Sequence, residues 1–433
     1  MRQDCCLIYL SSLFTIISVI DMKKLFIFSI TLLFILLLGF FNLFSPLAKA
    51  QDNNNHVPGQ VLIKFKDGVS QADRDNLLRN NRARVVNKLE ALGVLVLQVP
   101  QTAEEKVVAA LSRNPHVDYA ELDYIGQAFF IPNDTYFVGN QWGLENTGQI
   151  IKGITGVVDA DIDGPTAWET TAGGVKVAIL DTGIDQDHED LSPKIVLNRD
   201  FTGSSSGYDD MYGHGTHVGG IVAAVTNNGT GVASGCPSCQ LINGKVLNDN
   251  GSGAYSWIAS GITWAADNGA KVINMSLGGS VKSFTLENAV NYAWSKGVVV
   301  VAAAGNSGNP SKTYPAAYTN AIAVAATNNK DQKATFSSYG AKWVDVAAPG
   351  ENIFSTFPNH PYKINKSLGY DFGSGTSMAT PMTSAVAALI WSTPYGTSAS
   401  QVRTRLESTA DKITRTGTYW SAGRVNAANA VAP

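Results

Sequence analysis

Residues 175–180 read VKVAIL, and the fold turns on how that run is taken. It is short, apolar and rich in β-branched residues. Two more such runs follow, KVINMSL at 271–277 and VVVVAA at 298–303. A strand with one wet face alternates polar and apolar residues, whereas a strand covered on both faces reads as a continuous apolar run. Helical stretches alternate with them: Ser256 to Asp267 before Gly269, Thr285 to Ser295 before Gly297, and about Ser377 to Trp391. A glycine just past a helix accepts the left-handed turn that ends it. Strands and helices in this alternation predict an α/β fold over 129–433, a mostly parallel central sheet with helices on both faces.

Upstream the texture differs. Residues 59–66 (GQVLIKFK) place Val61, Ile63 and Phe65 on one face, as in a half-buried strand. Ser70 caps a helical stretch through Leu78. Strands are expected at 83–89 and at 93–99 (GVLVLQV). Thr102 with Glu105 reads as a capping box for a helix to about Arg113, and 116–122 (HVDYAEL) alternates again. Strand-helix-strand-strand-helix-strand is the ferredoxin-like order, so 51–128 is expected to be a separate small α+β unit.

Composition excludes several classes. Only 15% of residues are charged, well below about a quarter, which argues against a charged disordered chain. The 41 glycines have no triplet period, so collagen is out. Net charge is −3 with no basic block, which gives no nucleic-acid partner. Four cysteines are too few for a disulfide framework. Residues 1–50 read as a signal region: Met22, Lys23 and Lys24, an apolar run from Leu25 to Phe41, then Ala48-Lys49-Ala50, which suits cleavage after Ala50. The alternative is a permanent anchor, since the run would just span a bilayer if tilted. Met22 offers a start of its own, which would leave residues 1–21 untranslated. Either way the remainder is expected to be exported, and secreted once the signal is removed.

Polar segments stand where apolar runs stop. The run at 175–180 ends at Asp181-Thr182-Gly183. GHGTH at 213–217 and GSGTSMATP at 373–381 each open an apolar helical stretch. In open α/β sheets, sites form outside the carboxyl ends of strands. An Asp, a His and a Ser there are the parts of an acyl-transfer triad. Ser377 would attack a carbonyl, His214 would carry the proton, and Asp181 would hold the imidazole tautomer. VAAAGNSG at 301–308 adds Asn306, an amide placed to donate to an oxyanion together with the Ser377 backbone N–H. A metal reading of His214 and His217 is poor, since they stand three apart with no Glu in the metalloprotease pattern.

Taken together, AILDTGID, GHGTHVGG, INMSLGG, AAAGNSG and GTSMATP resemble the subtilisin-like serine proteases, and the order Asp, His, Ser is that family's. The likeness covers about 130–433. It is nearest the thermitase-like branch, through AVNYAWSKGVVVVAAAGN, TGTYW and GRVNAANAV. Residues 51–128 resemble the family's inhibitor prodomain. The resemblance implies a secreted, self-processing serine endopeptidase acting on extended polypeptides, monomeric when mature. Its prodomain would assist folding and then block the cleft, with Tyr124 to Ala128 lying in the site and cleavage near Ala128–Phe129. A catalytically silent binder and a peptide ligase or cyclase are the alternatives on the same fold.

The same resemblance assigns substrate and ion contacts. Gly251, Ser252, Gly253 and Ser276, Leu277, Gly278 match the two segments between which a substrate backbone docks as a strand. Ala303, Gly305 and Thr313 would line the primary pocket. None is charged, so apolar or uncharged residues are expected before the scissile bond. The loop VTNNGTGV at 225–232 resembles a structural calcium loop, with Asn228 and the carbonyls of Val225, Thr230 and Val232 joined by Asp134 and Asp190. Where thermitase-like relatives have a second, acid-rich calcium loop, FTGSSSGYDDMYG at 201–213 has Ser and Gly at the matching positions, so that site is not expected here. DADIDG at 159–164 copies half an EF-hand but has Thr170 in place of the bidentate Glu, and 140–165 reads as a surface insertion. Export favours a Cys236–Cys239 disulfide. After GTSMATP the family continues His-Val-Ala-Gly, where this chain has Met382-Thr383-Ser384-Ala385, a change expected to affect packing behind Ser377.

Overall fold

A computed structural model describes residues 56–125 and 131–433. The expected signal cleavage after Ala50 and the expected cut near Ala128–Phe129 lie outside the described residues. The chain divides into two compact units, one ending at Gln127 and the other beginning at Ala128. Among the described residues no helix is long and apolar enough to cross a membrane.

The first unit runs β1 (His56–Phe65), α1 (Gln71–Asn80), β2 (Arg84–Leu89), β3 (Val94–Gln98), α2 (Glu104–Ser112) and β4 (Val117–Tyr124). The sheet order is β2-β3-β1-β4, antiparallel throughout. Val61, Ile63 and Leu97 are fully buried in its core with Leu111 of α2, as the alternation in β1 requires. Ser70 caps α1 by accepting from the Asp73 N–H. The capping box expected at Thr102 and Glu105 does not form. Thr102 lies in left-handed backbone at φ +67, and α2 starts one residue after the uncapped Ala103. Glu104 instead reaches across the unit and accepts the Gly59 N–H at 2.6 Å.

The second unit is built on eight strands: β5 (Lys176–Asp181), β6 (Ile195–Asp200), β7 (Gln240–Lys245), β8 (Val272–Met275), β9 (Val299–Ala303), β10 (Ala321–Thr327), β11 (Val346–Pro349) and, last in the chain, Gly423–Arg424. From that last strand the order is β11-β10-β9-β8-β5-β7-β6, and every neighbouring pair is parallel. The side chains explain the unbroken apolar runs. Val177 and Ile179 enter the core on one face, and Ala178 and Leu180 enter the core on the other. The first face is covered by α3 (His214–Ala223) and α6 (Thr376–Trp391), the second by α4 (Tyr255–Asp267) and α5 (Phe284–Ser295). α6 lies across β8 to β11. Its Leu389 and Ile390 are fully buried, each stabilising by about 1.5–3 kcal/mol. A two-stranded ribbon, β12 (Ile353–Thr356) with β13 (Tyr370–Gly373), precedes α6.

One expectation is corrected outright. Residues 140–165 are not a surface insertion: Trp142, Leu144, Ile151 and Ile162 are buried in the larger core, and exposure is confined to parts of 147–159, Ile150, Ile154, Val157 and Val158 among them. Asp161, from the rejected EF-hand segment, is also buried. Burial raises its carboxyl to about 7, although it accepts the N–H groups of Asn146 and Asp163. Cys236 and Cys239 are bonded and buried.

Candidate active site

The sheet delivers Asp181 as the last residue of β5, beside the point where strand order reverses between β8 and β5. Asp181 is fully buried. Its Oδ1 accepts the Thr182 N–H at 2.8 Å and His214 Nδ1 at 2.7 Å. A carboxylate only accepts, so Nδ1 carries the proton and Nε2 keeps its lone pair. Burial pulls the imidazole pKa down, but the Asp181 charge and hydrogen bond, with help from Asp210, outweigh it and leave it above the ordinary value. His217, one helical turn on, behaves oppositely. Burial and the neighbouring His214 lower it to about 3, so it stays neutral and donates from Nε2 to the Ile353 carbonyl at 3.1 Å.

Two glycines allow this approach. Gly183 has φ +106, and a Cβ there would meet the Tyr208 and Asp209 carbonyls. A Cβ at Gly215 would strike the Gly183 carbonyl. The bare Gly215 lets the first turn of α3 lie against the exit of β5, and the bare Gly183 lets the 208–209 backbone lie against that exit. Sequence reading missed the group that locks this junction. Asp210 is fully buried and accepts from Thr182 Oγ1 (2.8 Å), Tyr212 N (3.1 Å), Gly213 N (2.8 Å), Thr216 N (2.8 Å) and Thr216 Oγ1 (2.7 Å). Thr182 Oγ1 in turn accepts the Gly215 N–H at 2.9 Å. A carboxylate at a helix N-terminus satisfies orphan donors and meets a positive dipole.

Ser377 stands in the first turn of α6, where its N–H has no intrahelical acceptor. Its Oγ donates to the Ser276 carbonyl at 3.1 Å, and Ser276 Oγ donates back to the Ser377 carbonyl at 2.7 Å. Its hydroxyl therefore turns toward Ser276 and makes no hydrogen bond to His214, although both residues line one cavity of about 250 Å³ with Asn306. Asn306 follows β9. Its Oδ1 accepts from Thr376 N at 2.9 Å and Thr376 Oγ1 at 3.0 Å. Because an N–H donor fixes that atom as oxygen, the amide's Nδ2 donors are the ones left for the cavity.

His214 also borders a second cavity of about 490 Å³, lined by Gly251, Ser252, Gly253, Ser276, Leu277 and Gly278. All six residues expected to meet a substrate backbone thus line one cavity. Ala303, Gly305 and Thr313 do not line either cavity. Thr313 packs where a Cβ on Gly278 or Gly305 would be, and Ala303 is buried at the end of β9. The larger cavity gains walls that no motif announced: Tyr212, Leu247, Tyr255 and Ile258. Tyr212 sits where a Cβ on Gly251 would go, and Gly251 is also in left-handed backbone at φ +76, so packing and conformation both call for glycine there.

The expected calcium residues gather as well. Asp134 and Asp190 are both buried, and burial raises both carboxyls despite N–H donors from Asn227 and Val232. Among the described residues neither has a cationic partner within 4.0 Å. The carbonyls of Val225, Thr230 and Val232 receive no hydrogen bond there. Two buried carboxylates without a cationic partner, hydrogen-bonded to the loop that carries those three unpaired carbonyls, are oxygen donors of the kind a hard divalent cation takes, although Asp190 Oδ2 also accepts from Tyr370 Oη at 3.0 Å. Asn228 fits less directly: its Nδ2 donates to Asp190 at 2.8 Å while its Oδ1 accepts the Thr230 N–H at 2.9 Å. Sequence reading also missed Asp185, Asp209 and His360, whose ligand atoms lie within 4.8 Å of one another and come from three separate loops.

Comparison with known proteins agrees with this geometry. Residues 172–425 match the Subtilase family and residues 45–123 the fervidolysin N-terminal prodomain. The chain is 42% identical over 391 residues to a thermophilic serine proteinase of Bacillus sp. strain AK1, covering 89% of this chain and 90% of that one. It is 50% identical over 303 residues to thermitase of Thermoactinomyces vulgaris, covering 70% and 99%. A solved protease from Pseudoalteromonas arctica superimposes with a TM-score of 0.61 at 33% identity, covering 69% of this chain and 98% of its own. The chain therefore belongs to the subtilase family of serine proteases and carries that family's arrangement of an N-terminal prodomain before a subtilisin-like α/β domain.

Proposed function

We propose that this protein is a secreted, self-processing serine endopeptidase whose nucleophile is Ser377. The observation that carries the proposal is the 2.7 Å pairing of Asp181 with His214 Nδ1 on the rim of the cavity that holds Ser377 and Asn306. An extended polypeptide lies between 251–253 and 276–278 as an added strand. The Ser377 hydroxyl leaves the Ser276 carbonyl and donates to His214 Nε2, a contact that tightens only with substrate present. Oγ attacks the scissile carbon as Nε2 takes its proton. Asp181 stabilises the imidazolium, and Asn306 Nδ2 with the Ser377 N–H stabilises the oxyanion. His214 passes the proton to the departing amine, leaving an acyl-enzyme, and water then repeats the sequence to release the acid.

Uncharged walls beside Ser276–Gly278 favour apolar or uncharged residues before the scissile bond. The unit within 51–128 acts as folding aid and first inhibitor, and cleavage near Ala128–Phe129 frees a monomeric 129–433. Calcium held by Asp134, Asp190, Asn228 and the carbonyls of Val225, Thr230 and Val232 offsets the buried carboxylates there. The apolar run after Lys23 and Lys24 directs export. A Ser377→Ala chain, expressed alone, is expected to persist at full precursor length and to be trimmed only when active enzyme is added. Unaided maturation to the same N-terminus would end the proposal.

A further inference from the structure

The cavity holding Ser377 has a wall that the reaction scheme above does not use. The strand β12 ends at Thr356, and 357–369 form an irregular loop before β13. That loop is pinned rather than loose. Lys363 N donates to the Met211 carbonyl at 3.0 Å and Ile364 N to the Tyr212 carbonyl at 3.1 Å, tying it to the segment that leads into His214. Asn359 N donates to buried Asp185 at 2.8 Å, and Tyr362 Oη donates to the Ser367 carbonyl at 2.9 Å. The Tyr362 ring stacks on Phe357 with centroids 5.4 Å apart. It occupies the space a Cβ on Gly213 would need.

The loop places Phe357, Ile364 and Lys366 around the cavity, with Met378 also lining it. Lys366 makes no ion pair among the described residues. The acid that feels its charge is Asp371, whose oxygens already accept the Ser367 and Phe372 N–H groups at 3.1 and 2.7 Å. If the acyl half of a substrate runs along 251–253 and 276–278, the amine half must leave past His214 on the other side. That side is this cavity, apolar over most of its lining with one free ammonium.

Resting on the proposed reading of Ser377, we infer that this cavity receives the residue directly after the scissile bond and that Lys366 makes it prefer an acidic side chain. The carbon chain of a glutamate packs on the Phe357, Ile364 and Met378 surface while its carboxylate meets the Lys366 ammonium. An exposed pair of this kind is worth a few-fold in rate, not orders of magnitude.

The test uses mature enzyme and quenched fluorogenic peptides identical except for Glu, Gln or Lys after the cleaved bond, with product masses fixing the cut. The expected Glu:Gln ratio in kcat/KM is about threefold in low salt, shrinking toward one as salt screens the pair. Lys366→Gln should bring the ratio to about one, and Lys366→Glu should invert it and favour Lys. Active-site titration with a fluorophosphonate confirms a competent site in each variant. An enzyme that titrates and cleaves with a Glu:Gln ratio of one, or with a ratio that Lys366→Glu leaves in place, overturns the inference while Ser377 keeps its role. An enzyme that neither titrates nor cleaves removes the parent reading, and this inference with it.

Discussion

His214 Nδ1 donates to Asp181 Oδ1 at 2.7 Å, and Asp181 Oδ2 is buried with no partner among the described residues. One end of the carboxylate is saturated and the other is bare. A bare, buried anion beside an imidazole favours its protonated form, which is the state a general base passes through. The pH dependence follows from the sign. His214 works as a base only when neutral, and its folded pKa is raised. The rate should therefore fall as pH drops through an apparent value above the ordinary histidine range of about 6.5. A kcat/KM profile with its acid limb at or below that range would contradict the assignment.

Replacing Asp181 by Asn keeps the shape but supplies the wrong donor. The expected loss in kcat is on the order of 10⁴, as in other triads. The measurement is kcat for Asp181→Asn with a folded protein verified by its melting curve. A loss under tenfold would show that the tautomer does not depend on Asp181.

Asn306 is held through its Oδ1 by two groups of Thr376, which leaves Nδ2 as the free donor. Asn306→Ala should lower kcat by about 10²–10³ with little change in KM, a magnitude that comes from a member of the same family and not from this geometry. A change confined to KM would mean that the amide binds ground-state substrate instead.

Calcium removal tests the 225–232 loop. With free calcium a hundredfold above Kd, the gain in stability is about 2.7 kcal/mol, or several degrees in melting temperature. A chelator should remove that gain from the wild type and leave an Asp190→Ala protein unmoved. Equal chelator sensitivity in both would place the ion elsewhere.

Met378 is buried and lines the cavity with Ser377. A sulfoxide there places a polar group against the attack path. Peroxide should slow turnover in step with Met378 oxidation followed by peptide mass, and Met378→Ala should resist it. Full activity with Met378 oxidised would refute this.

The legible parts of the fold were those whose burial leaves a pattern in the sequence. β5 and β9 are covered on both faces and read as apolar runs without alternation, β8 does so apart from the buried Asn274, and β1 has one wet face, so it alternates. The triad positions were legible because strand ends and helix starts carry short polar motifs. The rest lacked such signals. Thr102 failed as a cap because its backbone is left-handed, which no side-chain pattern announces. Trp142, Leu144 and Ile162 reach the core from irregular chain between polar residues, so 140–165 looked wet. Phe357, Ile364 and Lys366 share a cavity only because backbone hydrogen bonds fold their loop onto 211–212. Asp210 looked like one more loop acid, yet it closes the β5–α3 junction through five hydrogen bonds.

The most direct trial is peptide mapping of the mature protein after reaction with a fluorophosphonate. One equivalent of phosphonyl group on Ser377, abolished by His214→Ala, is the result this account predicts. A protein that cleaves polypeptides while its label settles on another residue, or on none, would contradict it.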